Sequence, residues 1–160
     1  MILPPKSNFD LSLSYGDQMA ANAHQTFTGG NLEVKTDKAW HKNLNACFEV
    51  LRNEDTKTGL LSTESTDWHH ILPEPLDENK ILLSLTWPVT TLKRLLKDRL
   101  TTGRARVQPG CGDGKRTICV LVPICHLLPA KDYQVTRDIA KQRRFNGEDE
   151  LTQRIIEYLK

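Results

Sequence analysis

The segment NLEVKT (residues 31–36) decides how the rest of this 160-residue chain is interpreted. Apolar and polar residues alternate through it, which is typical of a β-strand that is covered on one face. Leu32 and Val34 should therefore point to one face, and Glu33 and Lys35 to the other. The segment thus predicts a strand that presents a carboxylate and an ammonium group on the same side.

The same reasoning assigns the other elements of the chain. The predicted strands are 45–51, a buried strand at 81–85, and 118–128, which enters a loop at Pro123. The segment 65–72 fits a strand or a short helix, and the apolar run at its end favours the strand. The predicted helices are 12–27, 88–100 and a C-terminal helix within 145–160, while 1–9 is an extended lead-in, and 53–59, 73–79 and 108–117 are turns or loops. This order predicts an α/β or α+β fold in a single domain, 1–160, with a mixed central sheet of four to five strands flanked by helices.

Charge and cysteine usage narrow the functional class. The net charge of +2 is lower than is usual for a protein that coats DNA without acting on it. None of the four cysteines is at zinc-ligand spacing, and Cys119 and Cys125 lie in an apolar run that predicts buried thiols. A chain with no disulfide framework, no signal peptide and no apolar run of about 20 residues is expected in the cytoplasm, away from any membrane.

The predicted polar face of the NLEVKT strand carries groups that suit phosphodiester hydrolysis. Glu33 offers an anionic oxygen to a hard cation such as Mg²⁺ or Mn²⁺, and the Val34 carbonyl offers a second oxygen. Lys35 can position a water and stabilise the charge that develops on a phosphate. A Glu-x-Lys strand is more often a solvated face with an ion pair, so these residues alone predict either a surface pair or a metal site that still needs a second carboxylate.

A family resemblance favours the metal site. The segments YGDQ (15–18), GGNLEVKTD (29–37), NACFEV (45–50), GLLSTESTDWHHIL (59–72) and GDGKR (112–116), followed by LVPI (121–124), resemble small phage-type nucleases of the PD-(D/E)XK superfamily. The resemblance runs from Tyr15 to about Leu128. It implies a restriction-endonuclease-like core, a Mg²⁺- or Mn²⁺-dependent nuclease activity on DNA rather than RNA, and homodimer formation in some relatives. It also implies a phage- or bacterium-type host cell.

The chain departs from the superfamily pattern at the second acid. A Pro-Asp dipeptide usually precedes the (D/E)xK strand, and none occurs here. Asp17 on the predicted first helix is one replacement. Glu49 is another, because an adjacent strand would bring it beside Glu33, and Asp37 is a third. As ordinary residues, these would be a helix-surface charge, a cross-strand partner of Lys35 and a strand-end cap, respectively.

Basic residues outside this strand are candidates for phosphate binding. We predict that Lys115 and Arg116, with Lys42, contact nucleic acid on the side of the molecule that carries Glu33. Adjacent His69 and His70 should point to opposite faces of a strand, with His70 packed and His69 on the polar surface.

Two other functions remain open. The missing Pro-Asp acid favours a catalytically inactive module that binds nucleic acid or protein on the same fold. A structural or inhibitory phage-type protein, with Glu33 and Lys35 as a surface ion pair, is the other.

Overall fold

The computed structural model describes residues 31–111, 116–127 and 149–160. In chain order, the elements are β1 (Leu32–Thr36), α1 (Trp40–Asn43), β2 (Asn45–Arg52), β3 (Thr56–Lys57), β4 (Asp67–Glu74), β5 (Asp77–Pro88), α2 (Val89–Thr101), β6 (Arg106–Cys111), β7 (Thr117–Pro123) and α3 (Glu150–Tyr158), with single 3₁₀ turns at Gly59–Leu61 and Ile124–His126. The predicted lead-in and the predicted helix over residues 12–27 lie outside the described residues.

The chain divides into two compact units. The described residues of the first are 31–38 and 65–87, and those of the second are 39–64, 88–111, 116–127 and 149–160.

The first unit contains a three-stranded sheet in the order β1-β4-β5. β1 pairs in parallel with β4, so that Glu33 lies opposite Trp68 and Lys35 opposite His70. A two-residue turn joins β4 to β5, and such a short connection requires an antiparallel pair. The central strand, β4, is buried along almost its whole length.

The structure corrects two sequence predictions in this unit. The predicted loop over 73–79 is instead the end of β4, a tight turn and the start of β5. The predicted buried strand at 81–85 is part of β5, but Ile81 and Leu82 are 47% and 55% exposed. β5 forms an edge of the sheet within the described residues. An apolar run shows that a strand is favourable but does not show which of its faces is covered.

The second unit contains a four-stranded sheet in the order β3-β2-β7-β6. β7 pairs antiparallel with both β2 and β6. One face carries fully buried side chains such as Phe48 and Val120. The amphipathic α2 matches the predicted helix over 88–100, and it buries Leu92, Leu96 and Leu100.

The termini of α2 and α3 are explained by their own residues. Pro88 immediately precedes α2, where its missing N–H costs no helix hydrogen bond. Asp149 caps α3, because its Oδ1 accepts a hydrogen bond of 2.8 Å from the Thr152 backbone N–H. α2 contacts α3 and β7, and α3 contacts β6.

The predicted mixture of helices and strands is confirmed, whereas the prediction of one central sheet is wrong for the described strands, which form two sheets. The chain leaves β1 through the short α1 and through Leu44, which has a left-handed backbone conformation with φ of 57°. β2 then pairs with β3 and β7 and not with β1. The predicted turn over 108–117 is also shorter than expected, because β6 continues to Cys111.

Candidate active site and cysteine cluster

Glu33 and Lys35 form an ion pair on one face of β1. The Lys35 Nζ lies 3.0 Å from Glu33 Oε1, and the side chains are 46% and 31% exposed, respectively. The two residues share a face because side chains on a strand alternate with a period of two. The carboxylate is thus half-buried beside a cation, yet it stays accessible to solvent.

The parallel register places two buried residues of β4 beside this ion pair. Trp68 lies opposite Glu33, and His70 lies opposite Lys35. Both β4 side chains are 1% exposed, which confirms the prediction that His70 packs. The Trp68 Nε1 donates a hydrogen bond of 3.5 Å to His70 Nδ1.

Asp37 lies just beyond β1 and on the same face. Its backbone N–H donates to the Ile71 carbonyl at 2.9 Å, which extends the ladder by one residue. Its Oδ2 lies 3.9 Å from His70 Nε2, and its side chain is 10% exposed. Asp37 is four positions after Glu33 along the extended chain, or roughly 13 Å between Cα atoms. The two carboxylates therefore face different neighbours, with Lys35 between them.

His69 is buried on the opposite face, which corrects the prediction that it lies on the polar surface. It is 4% exposed, and its Nδ1 lies 2.6 Å from the Thr86 hydroxyl of β5. Burial lowers the pKa of His69, and the neighbouring His70 lowers it further. The sequence pattern showed that the two histidines point to opposite faces, but not that His69 would be buried in contact with Thr86 of β5.

Glu49 lies on β2, in the second unit, where it accepts a hydrogen bond of 2.8 Å from the Thr58 hydroxyl at Oε1. β2 is not a sheet neighbour of β1. The two strands are therefore not paired in one sheet, as the prediction for Glu49 had assumed. Asp17, the other predicted second acid, lies outside the described residues. Its role and that of Glu49 as metal ligands remain predictions.

The predicted phosphate-binding residues that the structure describes are Lys42 and Arg116, while Lys115 lies outside the described residues. Both described side chains are exposed. Arg116 immediately precedes β7 at the end where Arg52 pairs with Thr117, while Lys42 precedes Asn45 at the other end of β2. The strand length separates them by roughly 20–25 Å. They would have to contact phosphates at different positions on a nucleic acid.

Three cysteines that the sequence did not predict to lie together form a cluster in the second unit. The Sγ atoms of Cys47, Cys111 and Cys119 all lie within 4.8 Å of one another. They come from three neighbouring strands, β2, β6 and β7. The spacing of the cysteines in the sequence could not reveal the cluster, because the three residues come from separate strands and the loops between them set that spacing.

The cysteine thiols of this cluster affect one another. The pKa of Cys119 is raised, first by its hydrogen bond with Cys47 and then by burial. Burial is the main cause of the raised pKa of Cys111. All four cysteines lie in the described part of the chain, and none of them forms a disulfide.

Comparisons of the chain with protein-family models, with curated proteins and with solved structures gave no match. Among the helices in the described ranges, none has the length and apolar character needed to cross a membrane.

Proposed function

We propose that this chain is a divalent-metal-dependent nuclease that cleaves DNA, with a PD-(D/E)XK-type site centred on Glu33 and Lys35 and a restriction-endonuclease-like core. The observation that carries the proposal is the ion pair on β1. A half-buried carboxylate that is 3.0 Å from a lysine ammonium group, and still reachable from solvent, provides the anion and the cation that this chemistry needs.

The donor atoms of this strand suit Mg²⁺ or Mn²⁺. A hard cation prefers oxygen, and Mg²⁺ is usually held by one or two carboxylates together with waters and substrate phosphate. Glu33 would supply one carboxylate, the Val34 carbonyl a neutral oxygen, and Asp17 or Glu49 the second carboxylate. When bound, the metal ion would lower the pKa of a water and offset charge on the phosphate.

The roles of the side chains follow from their charges. Glu33 would hold its negative charge toward the cation and orient it relative to β1. Lys35 would exchange its contact with Glu33 for one with the scissile phosphate, where a fixed ammonium group stabilises the extra negative charge of the transition state. Buried Trp68 and His70 support the strand from the neighbouring β4, so that both groups are held on a packed surface.

The second candidate is a catalytically inactive module that binds nucleic acid or protein. The same ion pair favours it, because an ammonium group 3.0 Å from the carboxylate already neutralises Glu33 without a metal. The two candidates differ in whether Lys35 moves from Glu33 to a phosphate.

Cleavage assays on the purified full chain separate the candidates. Plasmid, single-stranded and branched DNA would each be incubated with Mg²⁺, with Mn²⁺ or with a chelator, and the products resolved on gels. A nuclease cuts at least one substrate with metal and none with chelator. If the chain binds DNA but cleaves none of the substrates, the enzyme proposal is overturned in favour of the inactive module. Absence of both binding and cleavage would overturn both nucleic-acid functions.

Two further features of the proposal have their own measurements. We propose homodimer formation, which sedimentation of the purified chain would test. We also propose a location in the cytoplasm of a phage- or bacterium-type host cell, which fractionation of expressing cells would test.

A further inference from the structure

The three clustered thiols come together in the sheet of the second unit, and the strand register explains how. Glu49 of β2 lies opposite Cys119 of β7. Cys47, two residues before Glu49, is therefore a diagonal neighbour of Cys119 on the same face. On the other side, Gln108 of β6 also lies opposite Cys119. Cys119 is therefore at the centre of the group, because β7 lies between the strands that carry Cys47 and Cys111.

A β-bulge directs Cys111 to this face. Regular alternation after Gln108 would point Gly110 to the Cys119 face and Cys111 away from it. The register shifts between Pro109 and Cys111, so that Cys111 lies opposite Thr117. Gly110 has φ of 75°, as expected for a glycine at a bulge. Because the bulge adds one residue, Cys111 returns to the face that carries Cys119.

The backbone geometry opposes a disulfide in this cluster. Diagonal neighbours on antiparallel strands have Cα atoms about 7–8 Å apart. A disulfide usually requires about 4.4–6.8 Å between Cα atoms. Cys47 and Cys111 lie on strands on opposite sides of β7 and are farther apart still. The three thiols converge at their tips, whereas ordinary strand spacing places their backbones too far apart for a simple cross-link.

The same geometry suits a thiophilic metal ion. Thiolates bind Zn²⁺ at about 2.3 Å, which places the sulfurs of a tetrahedral site about 3.8 Å apart. The three sulfurs here already lie within 4.8 Å of one another, so small side-chain rotations are sufficient. Cys47 and Cys111 are only partly buried, which gives a water access to the fourth position. Arg106 lies two residues before Gln108 on β6, and its guanidinium donates a hydrogen bond to the Gln108 side chain. Its positive charge offsets the negative charge of bound thiolates.

We propose that Cys47, Cys111 and Cys119 form a zinc site that ties β2, β6 and β7 together, with water as the fourth ligand. The three thiols release their protons to solvent when the ion binds. The site stabilises the four-stranded sheet, since a ligand that binds only the folded state raises its stability. This inference does not depend on the nuclease proposal, because it concerns different residues and a different class of metal.

The test uses the full chain, purified under reducing conditions, with Zn²⁺ as the probe. Elemental analysis after dialysis should give one Zn²⁺ per chain, and Co²⁺ in its place should give the near-ultraviolet charge-transfer absorption of thiolate ligands. Losing a residue that only hydrogen-bonds to a metal ligand costs about 10- to 100-fold in metal affinity. Cys111→Ser and Cys47→Ser each remove a ligand itself, so each should weaken Zn²⁺ affinity by about 100-fold or more. Cys125→Ser is the matched control and should keep full affinity.

The outcomes are decisive even if one variant fails to fold. Cys119 is 3% exposed, so its replacement could unfold the sheet. Cys111 lies at the end of β6 and is only partly buried, so Cys111→Ser carries the decision once circular dichroism shows a folded chain. Three results would overturn the proposal: no Zn²⁺ bound at micromolar concentration, equal affinity in Cys111→Ser and wild type, or a mass two hydrogens lower that reveals a disulfide within the cluster.

Discussion

Lys35 and His70 lie directly opposite each other in the parallel register of β1 and β4, and Lys35 also reaches back 3.0 Å to Glu33 on its own strand. Lys35 thus contacts an accessible carboxylate on its own strand, and its register partner on β4 is a buried histidine. Because the ion pair is accessible to solvent, we expect Glu33 and Lys35 to contribute much to cleavage and little to the stability of the fold.

We expect Glu33→Gln and Lys35→Ala to remove metal-dependent DNA cleavage while leaving the chain folded. Loss of one electrostatic group at a transition state costs about 10²–10³-fold in rate. A partly exposed ion pair contributes only on the order of 0–1 kcal/mol to stability. Initial cleavage rates and melting temperatures of the same preparations would check both halves.

The ion pair between Lys38 and Glu78 supplies the matched control. It joins two side chains of the first unit at 2.9 Å with comparable exposure, 33% and 54%. Lys38→Ala should leave the cleavage rate unchanged. Equal losses in Lys38→Ala and Lys35→Ala would mean that a general change of charge, and not the proposed site, accounts for the effect.

We expect Lys115→Ala and Arg116→Ala to weaken DNA binding and to reduce its dependence on salt. Each phosphate contact that is lost should lower the slope of log affinity against log salt concentration by about 0.9. Fluorescence anisotropy at several salt concentrations measures this slope. Lys80→Ala is the control, because Lys80 is a 66% exposed lysine that pairs with Asp77 outside the proposed contact set. If the slopes of Lys115→Ala and Arg116→Ala equal those of wild type and of the Lys80→Ala control, the proposed phosphate contacts are excluded.

Gly59→Ala should destabilise the second unit more than a surface substitution does. Gly59 has φ of 49°, and an added Cβ would lie 2.4 Å from the Glu49 carbonyl oxygen. A left-handed conformation alone costs a non-glycine residue about 1–3 kcal/mol, and the contact adds to this. Urea denaturation should show a lower midpoint with an unchanged slope. A midpoint equal to that of wild type would show that the turn before Leu60 rearranges easily.

His69 should make stability fall on mild acidification. Burial lowers its pKa below the ordinary 6.5, so the unfolded chain takes up a proton first as the pH decreases. The sign follows from this difference: stability is complete above pH 6.5 and decreases between 6.5 and the lower folded pKa, by up to about 1.4 kcal/mol per pH unit.

The pH prediction has a conservative test in His69→Asn, which keeps a polar atom near the Thr86 hydroxyl but cannot take up a proton in this range. Denaturation curves between pH 5 and 8 should be less sensitive to pH in this variant than in wild type. His126, whose pKa is also lowered by burial, remains in both proteins and contributes to the residual slope. An identical pH dependence in the two proteins would rule out His69 as a source.

Local features were predictable because neighbours along the chain determine them. The alternation at Leu32–Thr36 and the apolar stripe of Val89–Thr101 both appear in the structure close to their predicted positions. The ion pair of Glu33 and Lys35 follows from the same alternation. Side-chain direction is set by the backbone of each element, and the sequence contains that information directly.

The choice of strand partners was not predictable in the same way. A period of two shows which residues share a face, but it does not say which strand lies beside them. β1 pairs with β4, although β2 follows it more closely in the chain. This pairing removed the strand adjacency that the prediction for Glu49 had assumed, and it placed Trp68 and His70 beside Glu33 and Lys35.

The sequence by itself determined the faces of the strands, the amphipathic helix and the shared face of Glu33 and Lys35. Only the tertiary structure decided that His69 is buried and contacts Thr86 of β5 while Ile81 stays exposed, and that three cysteines from separate strands converge. The physical reason is the range of the interactions. Dihedral preferences and side-chain alternation act between near neighbours, whereas register, strand order and the bulge at Gly110 result from packing between distant segments.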